Sequence, residues 1–180
     1  MTDERDRLLP DWSVQYYVAG RMAARGGLVP IYGNLLHHAV EMFLKTALLG
    51  MVNRQEMKNK YSHDLVKLWE RFKAKEGDSG LSKFDATIRT LHEFEDLRYP
   101  DAIPHAGLSL STTWHPSDAG KVEVPSGVQK YEVVISDVDR LVIEIMKRIP
   151  LNPKYFMHKV GSGGHEALRH ENPHASDWLD

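Results

Sequence analysis

An arginine and a histidine that could act together on a phosphate, Arg98 and His105, are separated by six residues. A histidine titrates near neutral pH and can serve as a general base, and an arginine offers a fork of hydrogen-bond donors to an anion. Residues of these types can remove a proton and stabilise negative charge that develops on a phosphoryl group. Pro100 predicts a bend just after Arg98, because proline disfavours a helical residue before it. Tyr99 and Asp101 of the same bend are candidate binding residues.

Two other polar groups lie within segments that are otherwise apolar. Glu41 precedes Lys45 by four residues, in the order that favours an ion pair on one helix face, and we interpret this pair as structural. His63 stands beside Asp64 at the start of a predicted helix. There His63 either contributes to capping and packing or acts as a binding residue in a polar pocket.

The ten histidines of the chain raise the question of a metal site. His38 and Glu41 share a helix face, but carboxylate bundles that hold two irons repeat Glu-x-x-His on two helices, and this chain does not. The histidines near the end likewise miss the His-Glu-x-x-His spacing of zinc enzymes. Since the chain has no cysteine, thiolate sites and disulfides are excluded. From spacing alone we expect no metal site and no cofactor.

Five amphipathic segments should position these groups. Apolar residues recur at intervals of three and four, with Asp, Ser or Gly at the expected ends, as is typical of helices that bury one face. The segment from Pro30 to Gly50 has the widest apolar stripe and should be the central helix. The predicted helices span residues 12–25 with Asp11 as cap, 31–49, from Ser62 or Asp64 to about 75, 81–97, and 136–149 with Ser136 and Asp137 as cap. The residues predicted to face inward are Trp12, Tyr16, Ala19 and Ala23 in the first helix; Ile31, Leu35, Ala39, Met42, Thr46 and Leu49, with Leu36, Val40, Phe43 and Ala47 beside them, in the second; Leu65, Leu68, Trp69 and Phe72 in the third; Phe84, Ile88, Leu91 and Phe94 in the fourth; and Val138, Leu141, Val142, Ile145 and Ile149 in the fifth.

The remaining segments differ in character. Within residues 107–135, two alternating stretches at 108–112 and 121–124 flank a turn and predict a β-hairpin. The segment 151–180 lacks a periodic core and either docks or is mobile. We therefore expect an all-α, up-and-down bundle of about five helices over residues 1–150, with a hairpin-like excursion before the last core helix, followed by a tail.

Composition places broad limits on function. With 42% hydrophobic and 27% charged residues, the chain is typical of globular proteins. No apolar run approaches the length of a membrane span and the first residues are charged, so we expect a cytoplasmic protein without membrane contact. The net charge of −2 provides no global attraction to nucleic acid, so any RNA contact must be local or formed in a dimer.

Three short segments, in this order, resemble the HEPN domain family. They are Ala39-x-Glu41 with Lys45 in the second predicted helix, Ser62-His63-Asp64-Leu65 at the start of the third, and Arg98-Tyr99-Pro100-Asp101 after the fourth. The resemblance extends over about residues 12–149. It implies a helical bundle that is often a homodimer and is frequently linked with nucleotidyltransferase-type partners or with antitoxins. Many relatives are metal-independent RNases that use an arginine followed by a histidine, which Arg98 and His105 match.

Two hypotheses follow from the sequence. In the first, the protein is a HEPN-like domain that acts on RNA or nucleotides, as an endoribonuclease or a toxin-type protein, with Arg98 and His105 as its catalytic pair. In the second, it is a non-catalytic protein-interaction or dimerisation domain, and Arg98 caps a helix or pairs with Asp101 or Glu95. The first hypothesis requires Arg98 and His105 to converge on one accessible cleft.

Overall fold

The protein is mostly helical and, in the part of the chain that the structure covers, has one small sheet of two strands. A computed structural model describes residues 4–77, 80–98, 107–149 and 151–179, with side chains from residue 8 onward except at residue 98. None of the helices in these ranges has the length and hydropathy of a membrane span. The elements are α1 (Glu4–Arg25), α2 (Ile31–Ala47), α3 (Arg54–Glu56), a π-helical turn (Met57–Tyr61), α4 (Leu65–Glu76), α5 (Asp85–Glu93), β1 (Leu108–Thr113), β2 (Gln129–Val134), α6 (Ile135–Arg148), α7 (Ser162–Arg169) and α8 (Ala175–Leu179), with short 3-10 helices at Ser82–Phe84, Asp96–Arg98, Pro116–Asp118 and Pro153–Lys159.

Helix α2 lies at the centre, as predicted, and packs closely along α1. Gly20 permits this approach, because a Cβ at that position would lie 2.7 Å from Cδ2 of Leu36. Helix α1 begins earlier than predicted, so Asp11 lies inside it and is not its cap. Ile31, which we predicted on the inward stripe, is exposed. The buried apolar face of α2 consists of Tyr32, Leu36, Ala39, Val40, Phe43, Leu44 and Ala47.

Helix α4 confirms the prediction for the third helix. The carboxylate of Asp64 accepts a 3.0 Å hydrogen bond from the backbone N–H of Lys67 and so caps the helix. Gly77 ends it in the left-handed conformation with φ of 68°, which glycine adopts without steric cost. The inward side chains are those predicted from periodicity: Leu65, Leu68, Trp69 and Phe72.

The predicted fourth helix is divided in the structure. Two 3-10 turns, Ser82–Phe84 and Asp96–Arg98, flank a shorter α5. Its core positions are nevertheless as predicted, since Phe84, Ile88, Leu91 and Phe94 are all buried. Tight approach explains part of the arrangement: a Cβ on Gly33 of α2 would lie 2.0 Å from Cδ1 of Phe94, so α2 and the segment after α5 meet at a glycine.

The predicted hairpin is wrong. The second strand is β2, not residues 121–124, and it pairs with β1 in parallel, with Leu108 opposite Gln129. Parallel neighbours cannot be joined by a tight turn, so residues 114–128 form a longer connection. Burial decides the choice, because Tyr131 and Val133 are buried, whereas residues 121–123 are exposed. The fold is therefore not entirely α.

The last core helix also starts differently from its prediction. Helix α6 begins at Ile135, directly after β2, and its N-cap is Val134, which makes no side-chain cap hydrogen bond. Ser136 and Asp137 lie inside the first turn, so the predicted cap is wrong. Strand pairing accounts for this, since the backbone N–H of Ser136 donates to the carbonyl of Trp114, next to β1. The predicted inward residues Val138, Leu141, Val142, Ile145 and Ile149 are buried.

The segment after α6 docks on the bundle. Phe156, Leu168 and Trp178 are buried in the same apolar cluster as the central helices. The ring of Trp178 stacks on Tyr17 of α1 with 5.2 Å between centroids. Of the two alternatives left open by the sequence, packing onto the core is the one found.

Candidate functional site

The predicted catalytic pair lies at the edge of what the structure describes. Arg98 is the last residue of the 3-10 helix Asp96–Arg98, but its side chain lies outside the described part. Tyr99, Asp101 and His105 also lie outside the described residues. The separation of Arg98 and His105 therefore remains a sequence prediction. His63 is the one predicted site residue whose side chain is described.

His63 belongs to a cluster of polar side chains around a buried carboxylate. Glu41 is almost fully buried on α2, and its Oε2 lies 3.2 Å from Nδ1 of His63 and 3.3 Å from Nδ1 of His38. The other oxygen, Oε1, accepts a hydrogen bond from the ammonium of Lys45. The cluster thus joins α2 to the segment that precedes α4. We call His38, Glu41, Lys45 and His63 the Glu41 cluster.

Local structure explains how these groups meet. His38, Glu41 and Lys45 are separated by three and four residues, so they share one face of α2. Ser62 has a positive φ of 40°, a conformation that non-glycine residues rarely adopt, and it turns the chain between the π-helical turn and α4. His63 follows immediately. A strained backbone next to a polar cluster is a common feature of functional sites.

Electrostatics keep the carboxylate charged. Burial alone would raise the pKa of Glu41, but the hydrogen bond from His38 and the charge of Lys45 outweigh burial and lower the pKa to about 2. A buried carboxylate without such partners would instead be neutralised. The Glu41 cluster is therefore a buried anion with cationic and imidazole partners on several sides.

A further histidine, His37, lies behind the cluster on the buried side. Its side chain is fully buried, and Nδ1 lies 2.9 Å from the backbone carbonyl of Leu91. A carbonyl can only accept, so Nδ1 carries the proton and Nε2 has a bare lone pair. Burial lowers the pKa of His37, which favours this neutral ring. Nε2 has no hydrogen-bond partner among the described residues and lies 3.7 Å from Oε2 of both Glu41 and Glu95.

Two of the three segments that carry the family resemblance meet at this cluster. The first two segments meet in the contact between Glu41 and His63. Residues 99–101 of the third segment lie outside the described residues, and the described chain before it faces His37 through Glu95, three residues before Arg98. The described chain before this gap ends with the 3-10 helix Asp96–Arg98.

A basic pocket opens on the exposed side of the Glu41 cluster. Its volume is about 260 Å³, and its lining residues are Lys45, Arg54, Met57, Lys58, Ser62 and His63. Of its three cationic side chains, Lys45 is already paired with Glu41, and the positive charge of Arg54 and Lys58 favours an anion such as a phosphate group. The chain as a whole is slightly acidic, so this positive charge is local.

Sequence reasoning missed the joint role of His37 and His38. The i to i+3 spacing of His38 and Glu41 was the available signal, but the third group, His63, is supplied by a different segment and could not be assigned from spacing. In the sequence, His37 stands out only as one of a pair with His38 that misses the spacing of zinc enzymes, and only the position of α5 puts its lone pair opposite two carboxylates. Comparison with protein-family models, with curated proteins and with solved structures found no match for the chain.

Proposed function

We propose that the protein is a HEPN-like helical domain that acts on RNA, cleaving it without a metal ion through Arg98 and His105. The observation that supports this proposal is the contact between Glu41 and His63, which brings two of the three family-like segments together, with Glu95, three residues before Arg98, facing His37 beside them. Segments far apart in the chain have no reason to meet at one polar cluster if their resemblance is only a matter of composition.

The basic pocket supports a nucleic-acid substrate. Lys45, Arg54, Lys58 and His63 line this pocket. It lies beside the Glu41 cluster, and Glu95, three residues before Arg98, faces His37 behind that cluster. A phosphate of the RNA backbone would be held there by charge-assisted hydrogen bonds, while the bend after Arg98 acts on a neighbouring phosphodiester. In this mechanism His105 removes the proton from the 2′-hydroxyl and Arg98 stabilises charge on the phosphorane.

Partners form part of the same proposal. The family resemblance suggests a homodimer in the cytoplasm, with a nucleotidyltransferase-type protein or an antitoxin as a further partner. A set of exposed apolar side chains on α1, the loop after it and the first residue of α2, which we call the α1 strip, supports self-association. It includes Leu8, Trp12, Met22, Leu28 and Ile31, all of which are exposed.

The test of the catalytic proposal is cleavage of labelled RNA by the full chain in the presence of a metal chelator. We expect cleavage by the wild type and its loss, by about 100-fold or more, in Arg98→Ala and His105→Ala, since general acid–base groups contribute about 10²–10⁴-fold. Cleavage that is unchanged in both variants, or that requires an added metal, would overturn the proposal.

RNA binding is tested separately from cleavage. Lys58→Ala removes a cation from the basic pocket, and Lys154→Ala, which removes another exposed lysine that does not line the pocket, is the matched control. We expect Lys58→Ala to weaken RNA binding several-fold and to reduce its dependence on salt, because each phosphate contact releases counterions. Equal effects of the two substitutions on RNA binding would argue against the pocket as the RNA-binding site.

A second candidate function is a non-catalytic interaction domain. The observation that favours it is the exposed apolar strip on α1, which a partner chain could cover. The two functions differ in RNA cleavage: a chain that self-associates but neither binds nor cleaves RNA under any of the conditions above is an interaction domain.

A further inference from the structure

The atoms that surround Oε2 of Glu41 have the spacing of a metal-binding site. Nδ1 of His38 lies 3.3 Å from this oxygen and Nδ1 of His63 lies 3.2 Å from it, and the ligand atoms of the three residues all lie within 4.8 Å of one another. Two ligands bound at about 2.0–2.1 Å to a tetrahedral zinc ion are separated by about 3.3–3.4 Å. Two of the three edges of such a ligand triangle are therefore already present.

We propose that Nδ1 of His38, Nδ1 of His63 and Oε2 of Glu41 bind a divalent transition-metal ion, and that Zn²⁺ is the ion they fit best. Two imidazoles and one carboxylate form a ligand set that zinc accepts. Mg²⁺ and Ca²⁺ prefer oxygen ligands, so the two nitrogen ligands select against them. The metal takes the place of protons shared between the imidazoles and Glu41, so its binding releases protons.

The carboxylate is prepared for this role. Glu41 is almost fully buried, so its position is set by packing, and Lys45 binds the oxygen that does not face the histidines. A hydrogen bond to the free oxygen of a ligating carboxylate fixes its orientation, as outer contacts commonly do in metal sites. Oε2 is thus left to point between His38 and His63.

His37 provides an independent indication of a cation. Its Nε2 is a buried lone pair whose close polar neighbours are carboxylate oxygens, at 3.7 Å, which also only accept hydrogen bonds. Glu41 has donors elsewhere, but the lone pair of His37 itself has no hydrogen-bond partner among the described residues, and a buried acceptor without a partner is unfavourable. A metal ion on Oε2 neutralises the carboxylate that this lone pair faces and offers it a positive charge.

The site is open on one side. The side chain of His63 is 51% exposed, and His63 and Lys45 also line the basic pocket. Three protein ligands with an accessible fourth position are typical of zinc sites that bind a water molecule or a substrate oxygen, whereas structural zinc sites are closed by four protein ligands. The chemistry that fits the open position is an oxyanion, since Lys58 and Arg54 flank the same cavity.

The experiment is a titration of chelator-treated, dialysed full-length protein with Zn²⁺ by calorimetry, and with Co²⁺ by visible absorption. We expect one Zn²⁺ per chain and the intense visible bands of tetrahedral Co²⁺. His63→Ala should weaken binding by more than about 100-fold, because even residues that only orient a ligand contribute about 10–100-fold. Bound Zn²⁺ should also raise the melting temperature of the wild type and not that of His63→Ala.

The matched control is His115→Ala. His115 lies 3.2 Å from a carboxylate oxygen of Glu171, the same kind of pair at the same distance, but without further ligands beside it within the described residues. We expect this substitution to leave Zn²⁺ affinity unchanged. Glu41→Gln is the second variant, because it keeps the shape of the side chain and removes the charge, and its fold can be checked by circular dichroism.

Three results would overturn the proposal. They are the absence of stoichiometric binding by the wild type, equal binding by wild type and His63→Ala, and loss of binding only when the histidines at 165, 170 and 174 are replaced. The inference does not rest on the RNase proposal. His105→Ala should retain full Zn²⁺ binding, so failure of one proposal is distinguishable from failure of the other.

Discussion

The guanidinium of Arg21 and the carboxylate of Asp139 form an ion pair in which neither side chain is exposed to solvent. Arg21 also donates hydrogen bonds to the backbone carbonyls of Ala167 and His170, and the hydroxyl of Tyr17 donates to Asp139 at 2.7 Å. One side chain of α1 therefore binds α6 and the C-terminal segment at the same time. Removal of either charge would leave the other buried without its partner.

Arg21→Ala should lower the free energy of unfolding by about 3–5 kcal/mol, the usual effect of breaking a buried ion pair from one side. The free energy of unfolding of both proteins is measured by urea denaturation. The control is Arg25→Ala on the same helix, where an exposed arginine lies 3.3 Å from the exposed Glu166, and the expected change is within about 0.5 kcal/mol. Similar losses of unfolding free energy for the two arginines would contradict a stabilising role of the buried ion pair between Arg21 and Asp139.

Gly33→Ala should destabilise the protein by about 1–3 kcal/mol, because the added methyl group would overlap the ring of Phe94. Gly163→Ala in α7 is the control, since its Cβ would meet only Cε of Met22 at 3.7 Å. That change should be neutral or stabilising by up to about 1 kcal/mol, as alanine favours a helix. Thermal melting of both variants checks the pair, and an unperturbed Gly33→Ala protein would be inconsistent with this close contact.

Asp85 should contribute a pH-dependent part of stability. Burial raises its pKa, but hydrogen bonds from Nε1 of Trp69 at 2.6 Å and Nζ of Lys73 at 2.9 Å outweigh burial and bring the pKa below its ordinary value of 3.8. A carboxyl group with a lower pKa in the folded state stabilises the protein above pH 3.8, and this contribution is lost as pH falls through the folded-state pKa.

Asp85→Asn should therefore cost about 1–2 kcal/mol at pH 7, where the charged hydrogen bonds are intact. The difference from the wild type should shrink below pH 3.8, the ordinary pKa of the group. This difference in stability is measured from the melting temperatures of both proteins at pH 7 and pH 3. A difference that stays constant, or that grows in acid, would contradict the sign of the shift.

Trp12→Glu should convert a dimer into a monomer if the proposed homodimer uses the α1 strip. The indole is 47% exposed and borders two cavities of about 400 and 420 Å³. A charge there would be buried in the interface without a partner. Light scattering measures the mass of the protein in solution and so distinguishes a dimer from a monomer. Tyr155→Glu, which changes an even more exposed aromatic residue that is not part of the strip, should leave the mass unchanged.

Local patterns in the sequence were sufficient for the main helices. Asp64 caps α4 and Gly77 ends it, and the inward residues of α4 and α6 lie where three-four periodicity predicted, whereas in the predicted helix 31–49 Ile31 is exposed and Leu35, Met42 and Leu49 are only partly buried. These features depend on the backbone and on neighbours within one turn, so they can be inferred without knowledge of the fold. Glu41 and Lys45 paired as expected for the same reason.

Contacts between distant segments were decided only by the tertiary structure. The parallel pairing of β1 with β2 replaced a hairpin because burial of Tyr131 and Val133 outweighs a local alternating pattern. The meeting of His38, Glu41 and His63 depends on how α2 packs beside the turn before α4, and the lone pair of His37 depends on α5. The sequence by itself determined where most helices end and which faces of α4 and α6 are buried, but on α1 the predicted inward residue Trp12 is 47% exposed and Val14, Tyr17 and Val18 are buried instead. Which faces meet, and so which polar groups share one site, is a property of the whole packed chain, because residues far apart in sequence have no local pattern that records their contact.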